Sequence, residues 1–430
     1  MERLSIDQCL DLLYNDIRNI RMKGKNNQDY DKLYVLFKSF FKLIDIDFPQ
    51  GPYRLNNDKL NPKIITIISL FIDELVILLF YMDYSSLGLY LSDKYILDPS
   101  FTLNKNSVVS NQRFYTNKIK RIDNKSIRLI DLDPGWNALN PSIIKTLTGY
   151  TLTVRTVNYI VTPEGNFVVP NGGNIKYTQN YLLHTDKDLN ILSTHKIIDN
   201  SVYKKYEGHT FIGLEDLILF EYNNKLSFTC TTLDTNEHRM PQISLCDLIL
   251  DPNKNEYSVT TKVSFESPYR RVEKNWLPWI HDESLLLIYS YSPFEIKKYS
   301  NEVLTNYHKS EYPLDFSRFK GSAAPIKFDL DESGYLFIVH ETFNLNQGLR
   351  CYLNRFIWMN LDLEIKKMSH PWYFDHHGVE FCRSMCHSHN QGEIILTYSI
   401  HDKDAQWCSL ETGYIKSLLL FDLDVFKFID

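Results

Sequence analysis

The feature that most constrains this chain is a change of periodicity near residue 120. Upstream, apolar residues recur at three- and four-residue steps, at Leu10, Leu13, Ile17 and Ile20 and again at Leu33, Leu36, Phe37, Phe40 and Leu43. Each run makes one apolar helical stripe. Asn61-Pro62 marks the start of a further helix from Ile64 to Tyr81, apolar around nearly its whole circumference and therefore central in a small bundle. The spacing predicts a helical domain over residues 1–100, closing near Asp98-Pro99. Downstream the grammar is short strands, such as Tyr150–Arg155, Lys225–Cys230, Leu285–Tyr289, Tyr335–Val339 and Ile394–Tyr398, separated by clusters of Asn, Asp, Gly and Pro. No long helical pattern interrupts them before the C-terminus, which argues against a parallel βαβ sheet and for antiparallel strands.

Polar landmarks punctuate this second region. They are Leu139-Asn-Pro-Ser142, Gly213-Leu-Glu-Asp216, Glu273-Lys-Asn-Trp276, Gly321-Ser-Ala-Ala-Pro325 and Gly378-Val-Glu-Phe381, spaced by 74, 60, 48 and 57 residues. Units of about 60 residues, each a polar landmark followed by hairpin-like strands, predict a mainly β fold. The expected architecture is a five-bladed β-propeller over 131–430, with a linker or first strands over 101–130. In such a fold the inner strand of every blade starts at the central channel, so dispersed motifs become one pocket.

Charge and cysteines remove several function classes. Lys and Arg number 47 against 53 Asp and Glu, a net charge of −6, so no basic field exists to hold a nucleic-acid backbone. The seven cysteines are scattered without a C-x-x-C pair, which fits a reducing compartment rather than a disulfide framework. The greasiest stretch, Ile64 to Phe80, carries Asp73 and Glu74 at its middle, costly positions inside a bilayer. The expectation is a chain without membrane partner, cytoplasmic, or in host cytoplasm or virion for a viral chain. Cys382, Cys386, His387 and His389 have the wrong spacing for common zinc knuckles, and no metal is expected. Gly-x-Gly-x-x-Gly, P-loop and Gly-x-Ser-x-Gly strings are all missing, which takes the usual supports from dinucleotide, nucleotide-hydrolase and serine-hydrolase readings.

The order Asn140-Pro-Ser142 with Val154-Arg-Thr156, Gly213-Leu-Glu-Asp216, Glu273-Lys-Asn-Trp276, Gly321 to Ile326 with Val339-His340, and Glu380-Phe381 with Tyr398 to Asp402 resembles the inverting β-mannoside phosphorylases and the related β-mannosyltransferases. The resemblance spans roughly residues 130–408, and it extends to a branch of that superfamily found in giant viruses and bacteria. It implies one catalytic acid, at Asp216, which protonates the glycosidic oxygen by relay through a sugar hydroxyl and removes the acceptor proton in reverse. It implies inorganic phosphate or a nucleotide sugar as co-substrate, with no other cofactor, and an oligosaccharide or sugar as partner. Lys274 and Asn275 would hold phosphate or hydroxyls, and Trp276 would offer an indole face to a pyranose. His340 would face the phosphate; Asp402 would hold hydroxyls of the non-reducing sugar, and Glu380 would act similarly.

Each residue also has a plainer reading. Asp216 also suits a turn carboxylate, Lys274-Asn275-Trp276 a solvated turn with one core aromatic, and His340 a satisfied core histidine. Glu380 equally suits a hydrogen-bond acceptor between blades. Arg155, in mid-strand, needs an anion if buried, which is either a phosphate or a structural carboxylate. Two departures weaken phosphate use. Ile218 stands where the family has an arginine two residues after the acid, and Gly-Ser-Ala-Ala-Pro replaces Gly-Thr-Pro-Pro. The expected function is transfer or phosphorolysis of a mannose-like residue with inversion. The alternative is a non-catalytic glycan-binding or virion propeller, whose N-terminal helices would dock a protein partner.

Overall fold

The computed structural model describes residues 117–129, 132–162, 166–170, 172–201, 208–235, 238, 240–265, 272–312, 316–344, 350–376, 378–419 and 421–423. The helices expected over residues 1–100 lie outside this set. The described chain is mainly β and propeller-like, and its one described helix, Thr412–Leu418, follows the last long strand. Asn117–Lys118 and Asn124–Ser126 are short strands within the stretch expected to be linker or first strands.

The chain runs through successive antiparallel meanders of four strands. The first comprises Asn137–Lys145, Tyr150–Val157, Lys176–Thr185 and Ile191–Asp199. The second comprises Glu215–Tyr222, Lys225–Thr232, Gln242–Asp251 and Glu256–Phe265. The third is Leu277–His281, Ser284–Tyr291, Phe294–Ser300 and Val303–Ser310, and the fourth is Phe319–Lys327, Gly334–Asn344, Arg350–Asn360 and Ile365–Met368. The last has Glu380–His387, Glu393–Ile400 and Asp404–Glu411, and its outer strand is Asn124–Ser126 from the start of the described chain. That early strand closes the final sheet.

Tight hairpins make the meanders. Asn223-Asn224, Asp282-Glu283 and Asn301-Glu302 all have φ between 45° and 64°, the double left-handed geometry whose twist matches paired strands. The first strands of the meanders touch in a closed series, each meeting the next and Glu380–His387 returning to Asn137–Lys145. The landmarks at 213–216, 273–276 and 378–381 sit at the start of one of these strands, and those at 139–142 and 321–325 lie within one.

Apolar cores lie between neighbouring meanders rather than at one centre, and the first two meanders also pair in parallel through their outer strands, Ile191–Asp199 with Glu256–Phe265. Ile143, Leu152 and Val154 pack on Ile395 and Trp407; Leu182 and Ile197 pack on Leu217, Phe228 and Val259; Phe220 and Leu245 pack on Leu285 and Leu287. Sheets covered on both faces lose the in-out alternation of a half-exposed strand, and Tyr150–Val157 is buried at all eight positions. That is how an arginine at position 155 comes to be inside.

Gly321 marks where the third and fourth meanders approach most closely. A Cβ there would fall onto the carbonyl oxygen of Asn275 and lie 2.7 Å from the Leu277 side chain. Gly321→Ala is expected to destabilise the protein by about 1–3 kcal/mol, the usual cost of overpacking. Denaturant unfolding checks this, and an unchanged midpoint would contradict the close approach.

Candidate active site

The site begins as a set of backbone irregularities. Asn140 (φ 46°), Asp216 (φ 56°), Asn275 (φ 61°) and Asp402 (φ 53°) all hold left-handed conformations. Asn and Asp tolerate this region better than other side chains, and such conformations concentrate where a side chain must be aimed. Asn140 and Asp216 each sit in a register shift, between Leu139 and Ser142 and between Glu215 and Ile218. A bulge bends the strand and turns its side chain off the pleat. Here it turns both into a cavity of about 380 Å3.

That cavity gathers Arg155, Asp216, Lys274, Asn275, His340 and Asp402, residues from across some 250 positions of sequence. Asp216 Oδ1 accepts hydrogen bonds from Arg155 Nη1 at 2.8 Å and Asn140 Nδ2 at 2.7 Å. Its backbone carbonyl accepts from Arg383. Burial works to raise the Asp216 pKa, but Arg155, Arg383, the Asn140 bond and Lys274 outweigh it, holding the carboxyl well below the usual carboxylate range. Asp216 is therefore an anion at neutral pH. The resemblance gives it two roles, donor to the glycosidic oxygen and, in reverse, acceptor of the hydroxyl proton; its surroundings favour the ionised form, from which the second starts.

Arg155 is the hub. Besides Asp216 it donates through Nη2 to Glu215 Oε1 at 2.9 Å and to Tyr159 Oη at 2.7 Å. Burial opposes the cation, and Glu215, Tyr159 and Asp216 together push its pKa up. Its charge is matched within the protein, so the structural-carboxylate alternative describes it rather than a free phosphate clamp. Glu215 Oε2 also lies 3.8 Å from Lys274 Nζ.

Asp402 behaves oppositely to Asp216. It is partly buried, and burial, then the charge of Asp216, raise its pKa to about 6 against the pull of Arg155 and Arg350. Two carboxyls in one cavity with pKa values pushed apart form the pattern by which sites separate proton-holding from proton-accepting roles. His340 lines the cavity without being a cation. It is buried, stacks on Tyr352 at 5.0 Å, bonds Ser322 Oγ through Nδ1, and is lowered to about 3 by burial, Lys320 and Arg383. It offers at most one ring N–H to a ligand.

Two nominated residues are not in the cavity. Trp276 is 5% exposed and packs with Phe265 and Tyr289 in the core between the second and third meanders, its indole N–H donating to Glu273. Its face is not free for a sugar. Glu380 is fully buried and accepts the backbone N–H groups of Phe374, Asp375 and His376, so it pins a loop. Aromatic surface reaches the cavity instead through Tyr159, Phe167 and Phe211, which pack edge to face at 5.0–5.9 Å. Lys320 and Arg350 also line it and escaped the sequence reading. Lys320 directly precedes the Gly321 landmark, which was a usable signal; nothing local singles out Arg350.

No family model matches the chain, nor does any curated protein sequence. Among solved structures it is similar to a β-1,2-mannobiose phosphorylase from Listeria innocua in complex with β-1,2-mannobiose, at 12% identity and a TM-score of 0.47 over 68% of this chain and 95% of that one. A mannose phosphorylase from Leishmania mexicana in complex with phosphate ion shows 11% identity and a TM-score of 0.43 over 73% and 95%. A GDP-Man-dependent mannosyltransferase from the same organism shows 9% identity and 0.43 over 71% and 95%. No helix among the described residues is long and apolar enough to cross a membrane.

The raised Asp402 gives a signed expectation for stability. Its folded pKa, about 6, exceeds the ordinary 3.8, so the stability linked to its proton is complete below about pH 4 and is lost as pH rises through 6. Asp402→Asn removes that loss. Its gain in Tm over the parent is expected to be larger at pH 8 than at pH 4.5, read by thermal unfolding; an equal change at both pH values would contradict the raised pKa.

Proposed function

We propose that this chain is a five-bladed propeller enzyme that transfers a mannose-like residue with inversion between a phosphorylated donor and a sugar hydroxyl. The observation that carries the reading is the pairing of an ionised Asp216 with cations that lack carboxylate partners, in one cavity. Lys320 and Arg350 form no ion pair among the described residues. The Lys320 pKa is lowered by burial and then by the like charges of Lys274 and Arg350. Cations crowded in this way are relieved by an anionic ligand, and a phosphoryl leaving group supplies one.

The chemistry follows from these charges. An acceptor hydroxyl attacks the anomeric carbon from the face opposite the phosphate. The bond from that carbon to the phosphate oxygen breaks, and its electron pair leaves on the oxygen, beside Lys274, Lys320 and Arg350. The hydroxyl proton passes to the Asp216 carboxylate, which rests unprotonated with Oδ1 held by Arg155 and Asn140. In reverse, phosphate attacks and the proton returns to the glycosidic oxygen. Asn275 and Asp402 bind hydroxyls, with Asp402 keeping its proton more readily than Asp216. Lys320 and Arg350 stand in for the arginine that Ile218 replaces. A carboxylate pinned only by backbone at the rim would suit a binding scaffold, whereas Asp216 is held by side chains and lines the cavity.

A donor screen tests this, with mannose 1-phosphate and guanosine-diphosphate mannose each offered with oligosaccharide acceptors. Turnover by the parent is expected to fall about 10²- to 10⁴-fold in Asp216→Asn. Equal turnover by both proteins would remove Asp216 from the reaction, and no turnover with any donor would favour a glycan-binding propeller.

A further inference from the structure

The cavity over Asp216 adjoins a second one of about 410 Å3. Val161, Arg350, Tyr352 and Asp402 line both, so they form a shared wall rather than a floor. Each volume falls in the range of about 300–1,000 Å3 usual for small-ligand sites. Asp216, Lys274 and Lys320 face only the first cavity. The second has its own character, set by what lies beyond the shared wall.

One side of it is apolar. Ile160 is 42% exposed on the short hairpin that pairs Ile160–Val161 with Phe167–Val168, and Val379 lines the cavity together with it. This surface suits the C–H face of a ring. The other side is basic. Arg350 and Lys403 line the cavity, both are exposed, and neither makes an ion pair among the described residues. His401 lies beside Lys403 and stacks on His376 at 5.7 Å. Its pKa is lowered, first by burial and then by His376 and Lys403, so it adds an N–H donor without a permanent charge. Asp402 is the one carboxylate lining the cavity among the described residues, and it sits in the wall shared with the first. Arg350 and Lys403 against Asp402, on which Arg350 acts, give this corner a positive balance in a chain whose net charge is −6. A neutral sugar offers these cations only hydroxyl acceptors, and a charge-assisted bond to an anion is about twice as strong as a neutral one. A ring bearing a negative group pairs with them.

We infer that the second cavity is a subsite for a saccharide ring carrying an anionic substituent, a phosphate or a carboxylate, seated on Ile160 and Val379 with its charge at Lys403, the cation that lines this cavity alone, while Arg350 in the shared wall also faces the phosphate of the first. The inference rests on the glycosyl-transfer reading and narrows it. The partner sugar is acidic, and its ring lies across the shared wall from the reacting centre.

Equilibrium binding by calorimetry tests it with three probes: a neutral mannose disaccharide, its 6-phosphate, and the same disaccharide with that 6-position oxidised to a carboxylate. The parent is expected to bind one or both anionic probes at least about tenfold more tightly than the neutral one, the scale of a single charge-assisted contact. Which anionic probe gains identifies the substituent. Lys403→Ala is expected to erase the preference, Lys403→Arg to restore it, and the neutral probe to bind all three proteins alike. Equal affinity for neutral and anionic probes would overturn the subsite and leave the transfer reading standing. A preference that survives Lys403→Ala would also overturn it, placing the charge in the first cavity. Failure of every probe to bind would overturn both.

Discussion

A buried guanidinium shared between two consecutive carboxylates is the interaction on which the rest of this site depends. Arg155 comes from the second strand of the first meander, and Glu215 and Asp216 open the first strand of the second. The two ion pairs, at 2.9 and 2.8 Å, therefore join neighbouring meanders as well as setting charge. Removing one partner from such a buried set is strongly destabilising, because the remaining charge has no solvent to return to. The same pairing fixes Asp216 as an anion. Structural role and chemical role reside in one contact.

Orientation comes from the other side of Asp216. Ser399 Oγ donates to Asn140 Oδ1 at 2.6 Å, which leaves the Asn140 amide nitrogen turned toward Asp216 Oδ1. Three residues from three strands, 140, 216 and 399, thus form one line of hydrogen bonds. Left-handed backbone at Asn140, Asp216, Asn275 and Asp402 costs of order 1–3 kcal/mol per residue. The apolar layers between sheets supply the surplus that holds such residues in place. A propeller-like body suits this arrangement, since its cores lie between the sheets and leave the inner strand heads free to carry polar, strained residues.

Much of this architecture was legible in the sequence because the landmarks obey local rules. Polar residues followed by alternating strands mark where first strands start, and Asn-Asn or Asp-Glu between strands marks the hairpins. Arg155 was legible as a buried arginine needing an anion, because a guanidinium inside Thr-Val-Arg-Thr-Val must be paired once both faces of its strand are covered. What failed to show were facts set by neighbouring sheets. Trp276 reads as a sugar platform until the second meander's Phe265 covers it, and Glu380 reads as a ligand until three backbone N–H groups converge on it. Arg350 follows no motif, and its place beside Lys320 exists only once the fourth meander forms. Protonation states are least visible of all: Asp216 follows an acid, Glu215, and Asp402 stands between His401 and Lys403, yet it is Asp216 that is held as an anion and Asp402 that is raised, because charges from other strands decide both.

Asp216 rests as an anion because Arg155 and Asn140 hold it so. Carbon-13 detection of the Asp216 carboxyl through a pH titration from 3 to 8 tests this most directly, with Asp216→Asn assigning the signal. A midpoint below the ordinary carboxylate value of 3.8 is expected in the parent, moving upward in Arg155→Met. A parent midpoint at or above that ordinary value would contradict it.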